Sequence, residues 1–390
     1  MGEKPIKFNP AEEQEGQFED LKKRLAPAGV IDTYKEQLED LFLIRNPKYK
    51  FNKNYQADFE KFLSEHLGDK SIEETGEWFY FPWNKLLVHY LEDELHQELR
   101  TARNKNLITT EEQEKFYNFK VGIAGLSVGS HAALTLAMMG GGRAMKLADP
   151  DIISGSNLNR IRFDFTTVGI NKCDLITRLI YQTNPYSEIY SYPQGLNPEN
   201  LIEFLAGPPK LDAVVELMDN PELKIRLRLE ARKLGIPVIM GTDNGDNIIF
   251  DAERYDLNSN LQLFDGAAGD LTLEEFQKFP PQELPKMATK IAGPNFVVPR
   301  MLASVSEVGK TLYSWPQLGD AATLAGLTIA YVIKRLALGQ KIKTGRLEVN
   351  LDSIFDPDYF NSKETKRRNE ERKAHLKNMG FSDEELNAFF

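Results

Sequence analysis

Asp149, Asp151, Asn157, Arg160, Lys172 and Asp219 are residues whose types and order could do chemistry together. Asp149 and Asp151 stand in KLADPD, Asn157 and Arg160 in SNLNR, Lys172 at the end of VGINK, and Asp219 in ELMDN. Ahead of them runs VGIAGLSVGS, where Gly125 and Gly129 permit a tight turn with Ser127 and Val128 between them. Backbone N–H groups at the start of a helix after such a turn can meet phosphate oxygens. Arg160 and Lys172 add positive charge to complement a polyphosphate. Asp219 offers the hard oxygen that Mg²⁺ takes from one or two carboxylates alongside phosphates. The combination points to a nucleotide site.

No single member of the series is specific. GLSVGS has Ser127 and Ser130 where a dinucleotide fingerprint could place glycines, and Asp149 lies about where such a fingerprint has its ribose-binding acid. On the glycine turn and Asp149 alone, an NAD(P)-dependent oxidoreductase is a competing reading, but it leaves SNLNR and Lys172 unused. A third reading is a nucleotide-binding adaptor without catalysis, docking through the aromatic stretch near its N-terminus.

The elements that must position these residues alternate regularly. Short apolar strands are expected at Lys120–Ala124, Ala144–Ala148, Ile189–Tyr192, Asp212–Met218 and Pro237–Met240. Between them, helices are expected at His131–Met139, which is apolar almost all round, and at Asn171–Gln182. Two more should start at Asn197-Pro198-Glu199 and at Asp219-Asn220-Pro221, the latter stopping at Gly235. Such alternation implies an α/β fold with a doubly wound, mostly parallel, Rossmann-like sheet. Ligands of open α/β sheets bind outside the carboxyl ends of the strands. Gly125, Asp149, Asp151, Asp219, Thr242 and Asp243 all follow strands and share that edge.

The flanking regions read differently. Residues 1–100 form a mainly helical accessory region, with helices expected over Ala11–Leu25 and Thr33–Phe42. In GEWFYFPWNKLLVHYL a strand and then a helix from Pro82 are expected, with Trp78, Phe79, Tyr80, Phe81 and Trp83 forming a small core. A helix over Glu92–Arg103 follows, and Thr109 stands at capping-box spacing from Glu112. The nucleotide-binding core spans 101–256 and its continuation spans 257–355. That continuation is irregular around PPQELP, then gives a helix at Ala321–Leu338 and a strand at Gly345–Leu351. Residues 356–390 form a helical tail. Seven Lys or Arg against three Glu lie between Lys363 and Lys377, and the interspersed signs read as a solvated helix.

Composition sets the outer bounds. The 390 residues carry a net charge of -10, which argues against non-specific nucleic-acid binding. No apolar run approaches the roughly 20 residues that span a bilayer. The opening MGEKPI lacks a secretory pattern, so a cytoplasmic location is expected. One cysteine, Cys173, rules out an internal disulfide and a cysteine-cluster zinc site; as a small buried apolar side chain it would be inert. The five histidines are scattered, and His89 and His96 mark a helix face rather than a metal site.

In their order, GLSVGS, ADPDIISGSNLNR, VGINK and ELMDN closely resemble the ThiF/MoeB branch of the ubiquitin-activating-enzyme superfamily, over roughly Arg103 to Asp256. GEWFYFPW and LRTARNKNLITTEEQ further resemble a bacterial ThiF-like subgroup. The resemblance implies ATP- and Mg²⁺-dependent adenylation of a carboxylate. The substrate would be the C-terminus of a small ubiquitin-like protein or peptide, or a small-molecule acid. It implies that Asp149 holds the ribose, Asn157 and Arg160 contact phosphates, Lys172 lies near the transferred phosphate and Asp219 is linked to the magnesium. It also implies a homodimer, with Arg103 as the arginine inserted across its interface. Family members often carry paired CxxC zinc sites and some use a later catalytic cysteine. This chain has neither, so activation without an enzyme thioester is expected.

Overall fold

The computed structural model describes residues 4–10, 15–267, 272–280 and 283–390. Ala11–Gln14 of the first expected helix, and Pro281 and Gln282 of PPQELP, lie outside the described residues. The N-terminal region contains β1 (Ile6–Phe8), α1 (Glu15–Leu25), β2 (Val30–Ile31), α2 (Tyr34–Arg45), α3 (Gln56–Leu67), β3 (Glu77–Phe81), β4 (Leu86–Tyr90) and α4 (Asp93–Thr101). Its strands form a sheet in the order β1-β3-β4-β2 that the mainly helical expectation did not include.

The helix expected from Pro82 is absent; LLVHY is β4, paired antiparallel with β3. Its burial alternates, with Leu87 and His89 inside, which is the period of a strand and not of a helix. Lys85, at φ 56, closes the turn. The aromatics do build core, as expected: Trp78 stacks on His89 at 4.1 Å, while Phe79 and Phe81 join the cluster that holds Val121, Ile123 and Leu136. Truncating a buried aromatic of this kind costs about 3–5 kcal/mol. His89 has both ring nitrogens engaged, by the Thr75 carbonyl and Asp32, and His96 Nε2 meets the Thr183 carbonyl.

The larger domain continues with α5 (Thr110–Asn118), β5 (Val121–Ala124), α6 (Val128–Met138), β6 (Ala144–Ala148), α7 (Lys172–Thr183), β7 (Glu188–Tyr192), α8 (Leu201–Ala206), β8 (Ala213–Glu216), α9 (Pro221–Leu234), β9 (Val238–Asn244) and β10 (Asn247–Glu253). It closes with α10 (Leu273–Gln277), α11 (Leu284–Ala292), α12 (Pro299–Val305), α13 (Gly319–Ala337), β11 (Gly345–Val349), α14 (Asp352–Phe355), α15 (Ser362–Asn378) and α16 (Asp383–Phe389). Seven strands form one sheet among the described residues, β11-β10-β9-β8-β5-β6-β7, in which β5 to β9 run parallel and β10 alone is reversed, pairing antiparallel with both β9 and β11. This is the expected doubly wound, mostly parallel sheet. The Thr109–Glu112 capping box starts α5, and Asn220 and the left-handed Gly235 bound α9, as the sequence predicts.

Three details correct the sequence reading. The strand expected at Pro237–Met240 runs on to Asn244, turns at Gly245 (φ +69) and returns as β10. Every residue of NIIFDAE is buried, so β10 shows no alternation to betray it. Thr242 and Asp243 therefore lie within a strand that outruns β8. Finally, α8 begins at Leu201; Asn197 spends its carboxamide oxygen on the N–H groups of Glu199 and Asn200 in a preceding turn.

As its sequence requires, α6 is buried on nearly all sides. It lies against α13, where a side chain at Gly326 would overlap His131. In the tail α15 is solvated along most of its length, and Leu376 near its end, Phe381 in the following turn and Leu386 of α16 pack on Val297, Leu302 and Ile249. Among the described residues, no helix is long and apolar enough to cross a membrane.

Candidate nucleotide site at the carboxyl edge of the sheet

Gly125 ends β5 at φ +93, and a Cβ there would overlap the Leu217 carbonyl, so only glycine lets the chain turn against β8. At Gly129 an added Cβ would lie 2.8 Å from the Ile123 side chain, which keeps α6 close to the sheet. Helix α6 starts after Ser127 with no side-chain cap, leaving its first N–H groups open; Val128 and Gly129 are its first residues. The Ser127 hydroxyl is buried and has no hydrogen-bond partner.

Asp149 links this turn to β6. Its Oδ2 accepts from the Leu126 N–H at 2.6 Å and its Oδ1 from the Asp151 N–H at 2.9 Å. Burial pushes its carboxyl up, opposed by Lys172 and those two N–H groups. The Lys172 ammonium, itself buried, lies 2.8 Å from Asp151 Oδ2 and 3.7 Å from Asp149 Oδ1. A cation in the first turn of a helix opposes the helix dipole, and two carboxylates offset that cost here. Asn171 fixes the lysine: its Oδ1 caps α7 through the Cys173 and Asp174 N–H groups, and its Nδ2 donates to the Asp149 and Pro193 carbonyls.

The carboxamide oxygen of Asn157 is spent locally, accepting from the Ser154 N–H, which leaves its amide group as the part that could meet a ligand. The half-buried Arg160 donates from Nη1 to the Ser156 carbonyl and Asn159 Oδ1, both at 3.0 Å, while its Nε is buried without a partner. The negative charges that it feels are Asp243 and Asp219. Arginine, Asp219 and Asp243 are thus gathered at the ends of β8 and β9. Asp219 is exposed, in the turn before α9.

Several contributors carried no sequence signal. His131 binds the Arg160 carbonyl through Nε2 at 2.7 Å, so that nitrogen bears the proton; burial depresses its pKa and keeps the ring neutral. Gln317, just before α13, donates to Asp243 Oδ2 at 3.1 Å, and its carbonyl accepts from Asn159 Nδ2. Beneath the edge lies a buried ion network. Arg228 donates to Glu216 and Glu253, both at 2.6 Å, and Glu216 Oε1 accepts from the Met218 N–H, fixing the chain next to Asp219.

Two expected residues stand apart. Arg103 is exposed in the turn after α4. Cys173 is fully buried, its Sγ against the Leu147 carbonyl and Ser191 Oγ, and burial pushes its thiol up to about 11. It is inert packing, as expected.

The chain is similar to several curated proteins over parts of its length. Over 285 residues the chain is 34% identical to the protein MT1398 of Mycobacterium tuberculosis (strain CDC 1551 / Oshkosh), covering 73% of this chain and 39% of that one. It is 35% identical to the tRNA threonylcarbamoyladenosine dehydratase of Bacillus subtilis (strain 168), over 38% of this chain and 58% of that one. It is 30% identical to the adenylyltransferase and sulfurtransferase UBA4 of Saccharomyces cerevisiae (strain RM11-1a), over 34% of this chain and 30% of that one. The chain thus spans less than two thirds of the length of these relatives. The ThiF family model matches residues 101–306, just over half of the chain, and the chain belongs to the ThiF family.

Proposed function

We propose that this protein binds ATP at the carboxyl edge and uses it to adenylate a carboxylate, without an enzyme thioester. The observation that carries the reading is the pair of buried, unpartnered polar atoms, Ser127 Oγ and Arg160 Nε, beside an uncapped helix start. Buried polar atoms without partners are rare, and a phosphate-bearing ligand would satisfy a hydroxyl, a guanidinium and open N–H groups together. Similarity to a tRNA threonylcarbamoyladenosine dehydratase and to an adenylyltransferase and sulfurtransferase supports a nucleotide-using enzyme.

The substrate carboxylate is ionised at neutral pH, so its attack on the α-phosphorus needs no base. The site must hold two anions in line and neutralise charge on the α-phosphate and the departing pyrophosphate. Arg160 supplies a fixed guanidinium. Lys172, held by Asp149 and Asp151, supplies an ammonium whose direction is set. Asp149 would meet the ribose hydroxyls and Asn157 the phosphates. Asp219, exposed in the turn before α9, would be the residue that holds a magnesium ion together with the phosphates, since that ion commonly takes only one or two carboxylates. Bound there, it would neutralise pyrophosphate charge. The buried Cys173 leaves no thiol to take the acyl group, which passes to an amine, an internal nucleophile or a carrier's own thiol. In a homodimer, Arg103 would reach the partner's site. The carboxylate would be borne by a ubiquitin-like protein, a peptide or a small molecule.

ATP–pyrophosphate exchange with a panel of such carboxylates tests the reading. Exchange that depends on one of them and drops in Arg160→Ala supports it; robust exchange surviving that substitution removes Arg160 from the site.

A further inference from the structure

Asp243 is the side chain that this reading leaves unused. It is 8% exposed, and one of its two oxygens, Oδ1, has no hydrogen-bond partner, while Oδ2 meets only the neutral Gln317. A buried carboxylate oxygen without a donor is costly and calls for a partner that the protein does not supply. A further acidic group faces it, and a second lies beside that one. Asp320, at the start of α13, repels Asp243. Asp246, in the β9–β10 turn, lies within hydrogen-bond reach of Asp320 and also feels Asp352. Arg160 is the cation that faces Asp243. A site that must take a polyphosphate has therefore been built with an excess of negative charge on the side of β9. That excess opposes the nucleotide unless a second, positive ligand group lies against it.

Resting on the reading of the edge as an adenylate-forming site, we propose that Asp243, Asp246 and Asp320 form a subsite for an ammonium or guanidinium group carried by the carboxylate substrate. The recognised cation is not the acceptor amine. Carboxylates around an ammonium favour its protonated form, which has no lone pair with which to attack. A positive group on the acyl chain instead remains charged throughout, fills the open valence of Asp243 and offsets repulsion between the cluster and the phosphates. Gln317 holds the other Asp243 oxygen and ties it to Asn159 beside Arg160, which sets the subsite next to the reacting end.

The test uses acyl-sulfamoyl adenosines, stable mimics of the acyl adenylate, titrated calorimetrically into the full chain. Each ω-amino acyl conjugate, in a series of graded chain length, is paired with an isostere that ends in methyl. The proposal expects at least one ω-amino conjugate to bind more than about tenfold tighter than its methyl partner, as a charge-assisted buried hydrogen bond provides. The ratio should fall toward one in Asp243→Asn through loss of the ω-amino conjugate's advantage, with the methyl conjugate bound at least as tightly as before. Asp320→Asn, at an exposed position, should lower the ratio less, and it carries the test if Asp243→Asn melts early. Equal binding of charged and methyl conjugates at every length, with both bound, overturns the subsite and leaves the adenylate reading standing. Failure of every conjugate and of sulfamoyl adenosine itself overturns both.

Discussion

Two charged clusters lie a few residues apart under the same sheet edge, and they are built in opposite ways. In the lower one Arg228, Glu216 and Glu253 are fully buried, and each charge has internal partners. Lys224 adds an ammonium to Glu216, and the Tyr255 hydroxyl and Phe264 N–H donate to Glu253 Oε1. In the upper one Ser127, Arg160 and Asp243 each keep a buried polar atom unpaired. In the lower cluster the buried charges are taken up by one another and by neighbouring donors, as befits a scaffold. Incomplete satisfaction at this edge is what the proposed ligand would relieve.

The largest effect should come from breaking the saturated cluster. Arg228→Ala leaves Glu216 and Glu253 buried without their central cation, a loss of about 3–5 kcal/mol of unfolding free energy. Denaturant melts would show it as a lower midpoint. The Met218 N–H bond to Glu216 would loosen with it, so nucleotide affinity should fall as well. In Arg160→Ala the pattern reverses. The guanidinium is half-buried and poorly satisfied, so stability should hardly change, while exchange falls about 10²–10³-fold, the range for removing one preorganised transition-state donor. A melt that drops as far as that of Arg228→Ala would erase the distinction between the clusters.

How much of this could be read beforehand follows the range of the interactions. The parallel strands and the Gly125–Asp149–Arg160–Lys172–Asp219 order were legible, because turn glycines, apolar runs and caps are local signals. The β3–β4 hairpin was missed because Pro82 opens a turn as readily as a helix, and β10 because a strand buried on both faces has no period. Gln317 was invisible for another reason. It meets Asn159 from 158 positions away, and nothing local marks a glutamine before α13 as part of the site. Asp243 was placed on the correct edge, but its burial and open oxygen exist only once Gln317 and α13 close over it.

Asp243 also distinguishes the clusters by pH. Burial holds its carboxyl at about 6, against 3.8 for the free side chain, so between those values the folded protein binds a proton that the unfolded chain has lost. The folded state then holds more protons, and stability falls as pH rises through that window, by at most about 1.4 kcal/mol per pH unit from this group. Asp243→Asn should remove that part of the slope between pH 4 and 6. Unfolding midpoints of both proteins across the window measure it; parallel profiles would mean that Asp243 ionises as an ordinary exposed acid.

The smallest stability effect is expected at Ser127, and its sign is the informative part. Truncating a hydroxyl with a protein partner costs about 1 kcal/mol, whereas truncating an unpaired buried one relieves an unmet desolvation. Ser127→Ala should therefore leave the melting midpoint unchanged or slightly raised. ATP affinity should nonetheless weaken severalfold if, as proposed, a phosphate oxygen is the partner that this hydroxyl lacks. A variant that loses stability and binds ATP as before would place Ser127 with Arg228, among the groups that hold the fold, and would reduce the open cluster to Arg160 and Asp243.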